Sequence, residues 1–123
     1  MDRYICKAKR MDNGEWVYGL LCYNIYHQLC IQPVEDMGCC VIDPNTVCRC
    51  TGKKDRNGNF IFENDIVVGK AGVPMTVCWD DDYAGFDVIY SQNGIGLYCN
   101  SLCGSELLEI TSNKFDNTEL MEN

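Results

Sequence analysis

A chain of 123 residues is the length of one domain, and 46% hydrophobic with 11% aromatic residues supplies a core and excludes a disordered polymer. The formal charge of −8 argues against sequence-independent binding to duplex DNA, where neutralising phosphates dominates affinity. No apolar run approaches the roughly 20 residues needed to cross a bilayer, and the opening Met1-Asp2-Arg3-Tyr4-Ile5-Cys6-Lys7 lacks a secretory apolar core. The expected compartment is the cytoplasm.

In chain order, strand signals dominate. Tyr4-Ile5-Cys6-Lys7-Ala8 alternates and stops at the turn Asp12-Asn13-Gly14, and Glu15-Trp16-Val17-Tyr18-Gly19-Leu20-Leu21-Cys22 follows, so the two runs predict a hairpin. Leu29-Cys30-Ile31-Gln32 and Cys40-Val41-Ile42 are shorter candidates, and Asp43-Pro44 turns the chain. Thr46-Val47-Cys48-Arg49-Cys50-Thr51 is extended, with Cys48 and Cys50 expected on one face. Asn57-Gly58 is the strongest turn signal and predicts a type I′ turn, which needs positive φ at both central residues.

Asn59-Phe60-Ile61-Phe62 leaves that turn, and Asn64-Asp65 introduces Ile66-Val67-Val68. Gly72 and Pro74 interrupt before Met75-Thr76-Val77-Cys78-Trp79, and Asp80-Asp81-Asp82 is a charged loop. Gly85-Phe86-Asp87-Val88-Ile89-Tyr90 alternates again and Asn93-Gly94 turns. Glu106-Leu107-Leu108-Glu109-Ile110 fits strand or helix. A short C-terminal helix is expected after Asp116, capped by Asn117 or Thr118. There is no linker and no internal repeat. Many short strands separated by Gly and Asn turns predict a mainly β domain, with residues 65–90 supplying successive strands of a small barrel.

The charge is unevenly distributed. Residues 1–56 carry 8 Lys/Arg and 7 Asp/Glu, whereas residues 57–123 carry 2 and 11. The basic residues fall mainly into Arg3, Lys7, Lys9, Arg10 and Arg49, Lys53, Lys54, Arg56. The second group flanks Thr51-Gly52, whose backbone amides add to an anion site. A surface turn decorated with solvated cations is the plainer reading. Trp16, Trp79, Tyr83 and Phe86 offer stacking surface for a base, with core packing favoured for Trp16 and Phe86.

Ten cysteines lack any Cys-x-x-Cys pair, and Cys99-x-x-x-Cys103 has no second pair of that spacing, so no zinc site is expected. The cysteines read as reduced thiols serving mostly as small hydrophobes. The single histidine, His27, sits in no catalytic signature, and phosphate-loop and nucleophile-elbow motifs are absent. Asp80-Asp81-Asp82 with Asp87 offers oxygens for a divalent cation. Three consecutive carboxylates on an extended chain point to alternating sides, however, and a solvated acidic loop is expected. Asp55-Arg56-Asn57-Gly58-Asn59 with Glu63 has its glycine too early for an EF-hand loop. No cofactor is called for.

One segment carries a resemblance. Residues 44–67, Pro44-Asn45-Thr46-Val47-Cys48-Arg49-Cys50-Thr51-Gly52-Lys53-Lys54-Asp55-Arg56-Asn57-Gly58-Asn59-Phe60-Ile61-Phe62-Glu63-Asn64-Asp65-Ile66-Val67, contain Pro-x-Thr-Val, then Thr-Gly-x-x-Asp-x-Asn-Gly, then Ile-x-Glu-x-Asp-Ile-Val. This resembles the YopX family of phage and prophage proteins. Trp16-Val17-Tyr18-Gly19, Trp79 with Gly85-Phe86, and residues 110–113 and 116–120 extend the likeness over nearly the whole chain. The chain departs at Cys48-Arg49-Cys50, and at Asn64 and Ser112, where the family usually has Gly, and at Thr118, where it usually has Pro.

The resemblance implies a single domain, 1–123, with N-terminal β elements over 1–58 and a barrel-like portion with a closing segment over 59–123. It implies an SH3-like small β-barrel with added hairpins, an oligomer, and a virus-encoded accessory protein inside a bacterium. It supplies no activity. The expectation is a non-enzymatic protein that sequesters a small anionic ligand, such as a nucleotide immune signal, through Arg49, Lys53, Lys54, Arg56, Trp79 and Tyr83. The alternatives are an acidic module that binds a host protein, and an enzyme pairing His27 with a cysteine.

Overall fold

The computed structural model describes residues 4–34, 38–70, 72–82, 84–92, 95–101 and 105–116. They form eleven β-strands in two compact units, Met1–Cys50 and Thr51–Asn123. The protein is mainly β, and among the described residues helical structure is limited to short 3-10 turns.

In the first unit β1 (Cys6–Lys9), β2 (Trp16–Tyr23), β3 (Leu29–Pro33) and β4 (Cys40–Val41) form an antiparallel meander, and the start of β5 (Cys48–Lys54) pairs with the free side of β1. The expected first hairpin is present, with Ala8 opposite Val17 and Cys6 opposite Gly19. Gly14 closes its turn at φ 73°. A bridge between Arg10 and Ile42 brings β4 back against the end of β1. Cys6, Ala8, Ile31 and Ile42 make the core, covered by Val17, Leu29 and Val47.

The Pro44–Thr46 3-10 turn locks onto β1. Asp43 caps it by accepting the N–H of Asn45 at 3.0 Å. The buried Thr46 hydroxyl donates to the Asp43 carbonyl and accepts the Lys9 N–H, both at 2.8 Å. The Pro-x-Thr element of the sequence is therefore a cap and a buried hydroxyl, each with its partner.

In the second unit the end of β5 forms a hairpin with β6 (Phe60–Phe62). β7 (Asp65–Val68), β8 (Pro74–Asp80), β9 (Gly85–Gln92) and β10 (Ile95–Ser101) follow as a meander, and β11 (Glu109–Asn113) returns to pair with β7. The order is β10-β9-β8-β7-β11. The strands expected from residues 65–90 are present, in an antiparallel sheet whose end strands β10 and β11 do not pair with each other among the described residues. Ile61, Val67, Val77 and Val88 form the core, against Met75, Phe86, Leu108 and Ile110.

The stretch open to strand or helix resolves into a 3-10 turn at Ser105–Leu107 and the strand β11. The Asn93-Gly94 turn, Cys103, and Asn117 and Thr118 of the expected C-terminal helix lie outside the described residues. No helix among the described residues is long and apolar enough to cross a membrane.

Candidate functional site

Of the first basic group, Arg3 lies outside the described residues and the other three are engaged locally. Arg10 grips Asp12 with two hydrogen bonds of 3.0 and 2.7 Å, and the Lys7 and Lys9 ammoniums lie 4.8 and 5.5 Å from the centre of the Trp16 ring. The β5–β6 hairpin carries most of the second group.

That hairpin is built by the residues of the Thr-Gly-x-x-Asp-x-Asn-Gly run. The Thr51 hydroxyl donates to the Ile61 carbonyl at 2.7 Å and accepts the Lys53 N–H at 3.1 Å. Gly52 takes φ 81° within β5. The Asp55 N–H donates to the Asn59 carbonyl at 2.8 Å, and the Gly58 N–H donates to the Asp55 carbonyl at 3.0 Å. Only Gly58, at φ 82°, has left-handed backbone in this loop. The turn is thus not the expected type I′ across Asn57-Gly58. It is a three-residue loop with Arg56 and Asn57 central and Gly58 as the left-handed bulge. The Asp55 carboxylate decides this by accepting the N–H groups of Asn57 and Asn59, both at 2.9 Å.

The same carboxylate reaches β11, where it accepts the Ile110 N–H at 3.1 Å. Burial pushes the Asp55 carboxyl upward, but the hydrogen bonds from Ile110, Asn59 and Asn57, with the nearby Arg56 charge, outweigh it and leave the group below its ordinary range. Two more contacts hold the loop. The Arg56 N–H donates to the Leu108 carbonyl at 2.7 Å, and the Asn57 amide donates to Glu109 at 3.3 Å.

This clasp sets Arg56 on the wall of a cleft of about 440 Å³ lined by Arg56, Lys70, Glu106 and Leu107. Its volume lies within the range of small-molecule sites. All four described lining residues are exposed, and Leu107 is 74% accessible. Among the described residues no carboxylate forms an ion pair with Arg56 or Lys70. Among the described residues, two cations, one acceptor and one apolar side chain thus share an open concavity, which suits a ligand with an anionic end and a hydrogen-bonding, partly apolar body.

The six residues singled out in the sequence divide. Arg56 lines the cleft. Lys53 and Lys54 are exposed on the hairpin, with the Lys54 ammonium 4.9 Å from the centre of the Phe60 ring. Arg49 is exposed on the part of β5 that belongs to the first unit. Trp79 is half-buried on β8, packed edge-on against Phe86 with centroids 5.0 Å apart, and its indole N–H donates to Asp81 at 2.7 Å. Tyr83 lies outside the described residues. Lys70, Glu106 and Leu107 were not legible as partners of Arg56, because no motif surrounds them and only the fold brings them together; in the sequence Glu106 belongs to the acidic surface of the interaction-module alternative.

The remaining chemical candidates are occupied structurally. Asp80 accepts the Asp82 N–H at 2.8 Å, and Asp87 is buried and accepts the Val88 N–H at 2.8 Å. Among the described residues no three His, Cys, Asp or Glu side chains gather as metal ligands. His27 holds φ 62° in a loop built like the one at Asp55. The Asn24 N–H donates to the Gln28 carbonyl at 3.1 Å and the His27 N–H to the Asn24 carbonyl at 3.0 Å. The Asn24 side chain accepts the Tyr26 and Gln28 N–H groups at 2.9 and 3.0 Å. His27 also borders a shallow groove of about 470 Å³ shared with Met11, Tyr23, Leu29 and Ile42, and no described lining residue is a cysteine.

A family model described as YopX protein matches residues 7–122, which takes in every described strand but the first residue of β1. No curated protein matches the chain.

Proposed function

The chain belongs to the YopX family, and on that premise we propose that it is a phage- or prophage-encoded accessory protein of the bacterial cytoplasm. It works as an oligomer, without catalysis, by binding and sequestering a small anionic ligand such as a nucleotide immune signal. The observation that carries the reading is the convergence of Arg56 and Lys70 on one cleft with Glu106 and Leu107. Arg56 and Lys70 take phosphate oxygens, Glu106 accepts from a hydroxyl or base amine, and Leu107 packs against the base. Lys53 and Lys54 extend the positive rim along the hairpin, and Trp79 and Tyr83 of the same unit stay in the proposed ligand-binding set.

The SH3-like barrel assignment draws support from topology. A four-strand meander whose fifth strand follows a 3-10 turn and returns to the first is the order of an SH3-like sheet, and β7 to β11 follow it. The short C-terminal helix completes the proposed architecture.

Calorimetry of the full-length protein against cyclic and ADP-ribose-type nucleotides tests the proposal. Binding is expected for at least one, and Arg56→Ala is expected to weaken it about tenfold or more, the equivalent of one charge-assisted hydrogen bond. No heat with any member of the panel, or affinity unchanged by both Arg56→Ala and Lys70→Ala, overturns it. Stoichiometric capture of a host protein in its place would favour the acidic interaction module.

A further inference from the structure

Eight cysteines lie among the residues whose side chains are described, and all are free thiols. Cys6, Cys30, Cys48 and Cys50 are buried, which removes them from solution oxidants. Two others meet. The sulfurs of Cys22 and Cys39 are 3.4 Å apart, in direct contact. Cys22 stands on β2 opposite Cys30 of β3, and Cys39 immediately precedes β4 on the other side of β3. The Cys39 thiol also lies 3.5 Å from the side-chain oxygen of Gln32 on β3. Cys39 is exposed and Cys22 half-buried, so the pair is open to solvent at one end.

We infer that Cys22 and Cys39 form a redox-active dithiol that peroxide closes to an intramolecular disulfide, a modification site separate from the residues of the anion cleft. Bringing the sulfurs from 3.4 Å to the roughly 2.05 Å of a disulfide takes a movement of at least about 1.4 Å. Gly38, at φ 96° with no atom within 4 Å of where a Cβ would stand, leaves the backbone beside Cys39 room to make it.

The order of events follows from exposure. Burial and the hydrogen bond with Cys39 hold the Cys22 thiol above its ordinary value, and Cys39, the exposed member of the pair, meets peroxide first. It attacks one oxygen of hydrogen peroxide. A sulfur–oxygen bond forms, the oxygen–oxygen bond breaks, and hydroxide leaves and takes up a proton as water. Cys22, once deprotonated, attacks the resulting sulfenic sulfur. The disulfide forms, the sulfur–oxygen bond breaks, and a second water departs. The two thiols lose two electrons and the peroxide gains them. The bond ties β2 to the entry of β4, the strand that carries Val41 into the groove beside His27.

The test uses the full-length protein treated with excess hydrogen peroxide, alkylated with N-ethylmaleimide and cleaved before aspartate. That cleavage places Cys22 in residues 12–35 and Cys39 in residues 36–42. The expected product is these two peptides joined, lighter by two hydrogens, with fragmentation locating the bond at Cys22 and Cys39 and dithiothreitol restoring both thiols. Cys22→Ser and Cys39→Ser should each abolish it, whereas Cys40→Ser should leave it. Alkylation of both Cys22 and Cys39 after peroxide, pairing of either with another cysteine, or a link found only between chains would overturn the inference. The mapping of the unaltered protein does not depend on any variant folding.

Discussion

The carboxylate of Asp55 accepts the backbone N–H of Ile110, a residue 55 positions later in the chain, at 3.1 Å. The return contact, Arg56 N–H to the Leu108 carbonyl at 2.7 Å, runs beside it. Together they fasten a hairpin loop to the strand that closes the second sheet. Arg56 follows Asp55, and Glu106 and Leu107 precede Leu108, so the shape of the candidate cleft depends on this clasp.

Asp55→Asn should therefore destabilise the protein by about 2–3 kcal/mol. An asparagine retains one oxygen for the N–H groups of Asn57 and Asn59. It turns an NH2 donor toward the Ile110 N–H and leaves that donor unpaired. Urea denaturation of the two proteins would check this, and a change under 0.5 kcal/mol, about the scatter of surface substitutions, would refute the role of the clasp.

The same group sets a pH dependence. Its carboxyl lies below the ordinary range in the folded chain, so its contribution to stability is complete above the unfolded value of about 3.9. That contribution disappears as the pH falls further, through the folded value. From about pH 4 downward the unaltered protein should lose stability more steeply than Asp55→Asn, whose residue 55 does not titrate. Parallel curves over that window would contradict the assignment.

His27 and Gly58 occupy the same place in two loops of like construction, at φ 62° and 82°. A side chain in left-handed backbone costs about 1 kcal/mol relative to glycine. His27→Gly should stabilise by about that amount and leave ligand binding unchanged. Gly58→Ala should destabilise by a similar amount, purely through backbone conformation, because its Cβ would meet nothing within 4 Å. Thermal denaturation of both variants tests the pair of opposite signs.

Gly19 presents the contrasting case, where space rather than conformation matters. A Cβ there would stand 2.0 Å from the carbonyl oxygen of Gln32 and 2.9 Å from the Pro33 Cα. Both are backbone atoms of the neighbouring strand β3, which cannot rotate away. Gly19→Ala should cost about 3 kcal/mol or more, or prevent folding. A soluble variant with an unchanged denaturation midpoint would show that the β2–β3 approach is looser than described.

The Thr-Gly-x-x-Asp-x-Asn-Gly and Asp-Ile-Val motifs were legible as a hairpin and a strand, and their named positions turn out to be construction. Thr51 and Asp55 bond backbone groups, Gly52 and Gly58 take positive φ, and Ile66 and Val67 are buried. Asn64, where the family pattern has glycine, takes φ 71° as a left-handed turn residue should, and the buried Asp65 beside it accepts the Phe62 N–H at 2.7 Å. The cations Lys53, Lys54 and Arg56 sit at the positions that the motif leaves open. The type I′ expectation failed at Asn57 because the Asp55 carboxylate offered its N–H a better partner than positive φ provides.

Local alternation of apolar residues and the chemistry of Gly, Asn and Asp in turns were enough to establish a mainly β protein and its first hairpins, and the motif string of residues 44–67 carried the family resemblance. They act over a few residues, and so can be seen in a linear string. Lys70 and Glu106 beside Arg56, Cys39 against Cys22, and Ile110 on Asp55 arise from strand order and from hydrogen bonds spanning tens of residues. Those pairings depend on how sheets stack their members, which no short window of sequence contains.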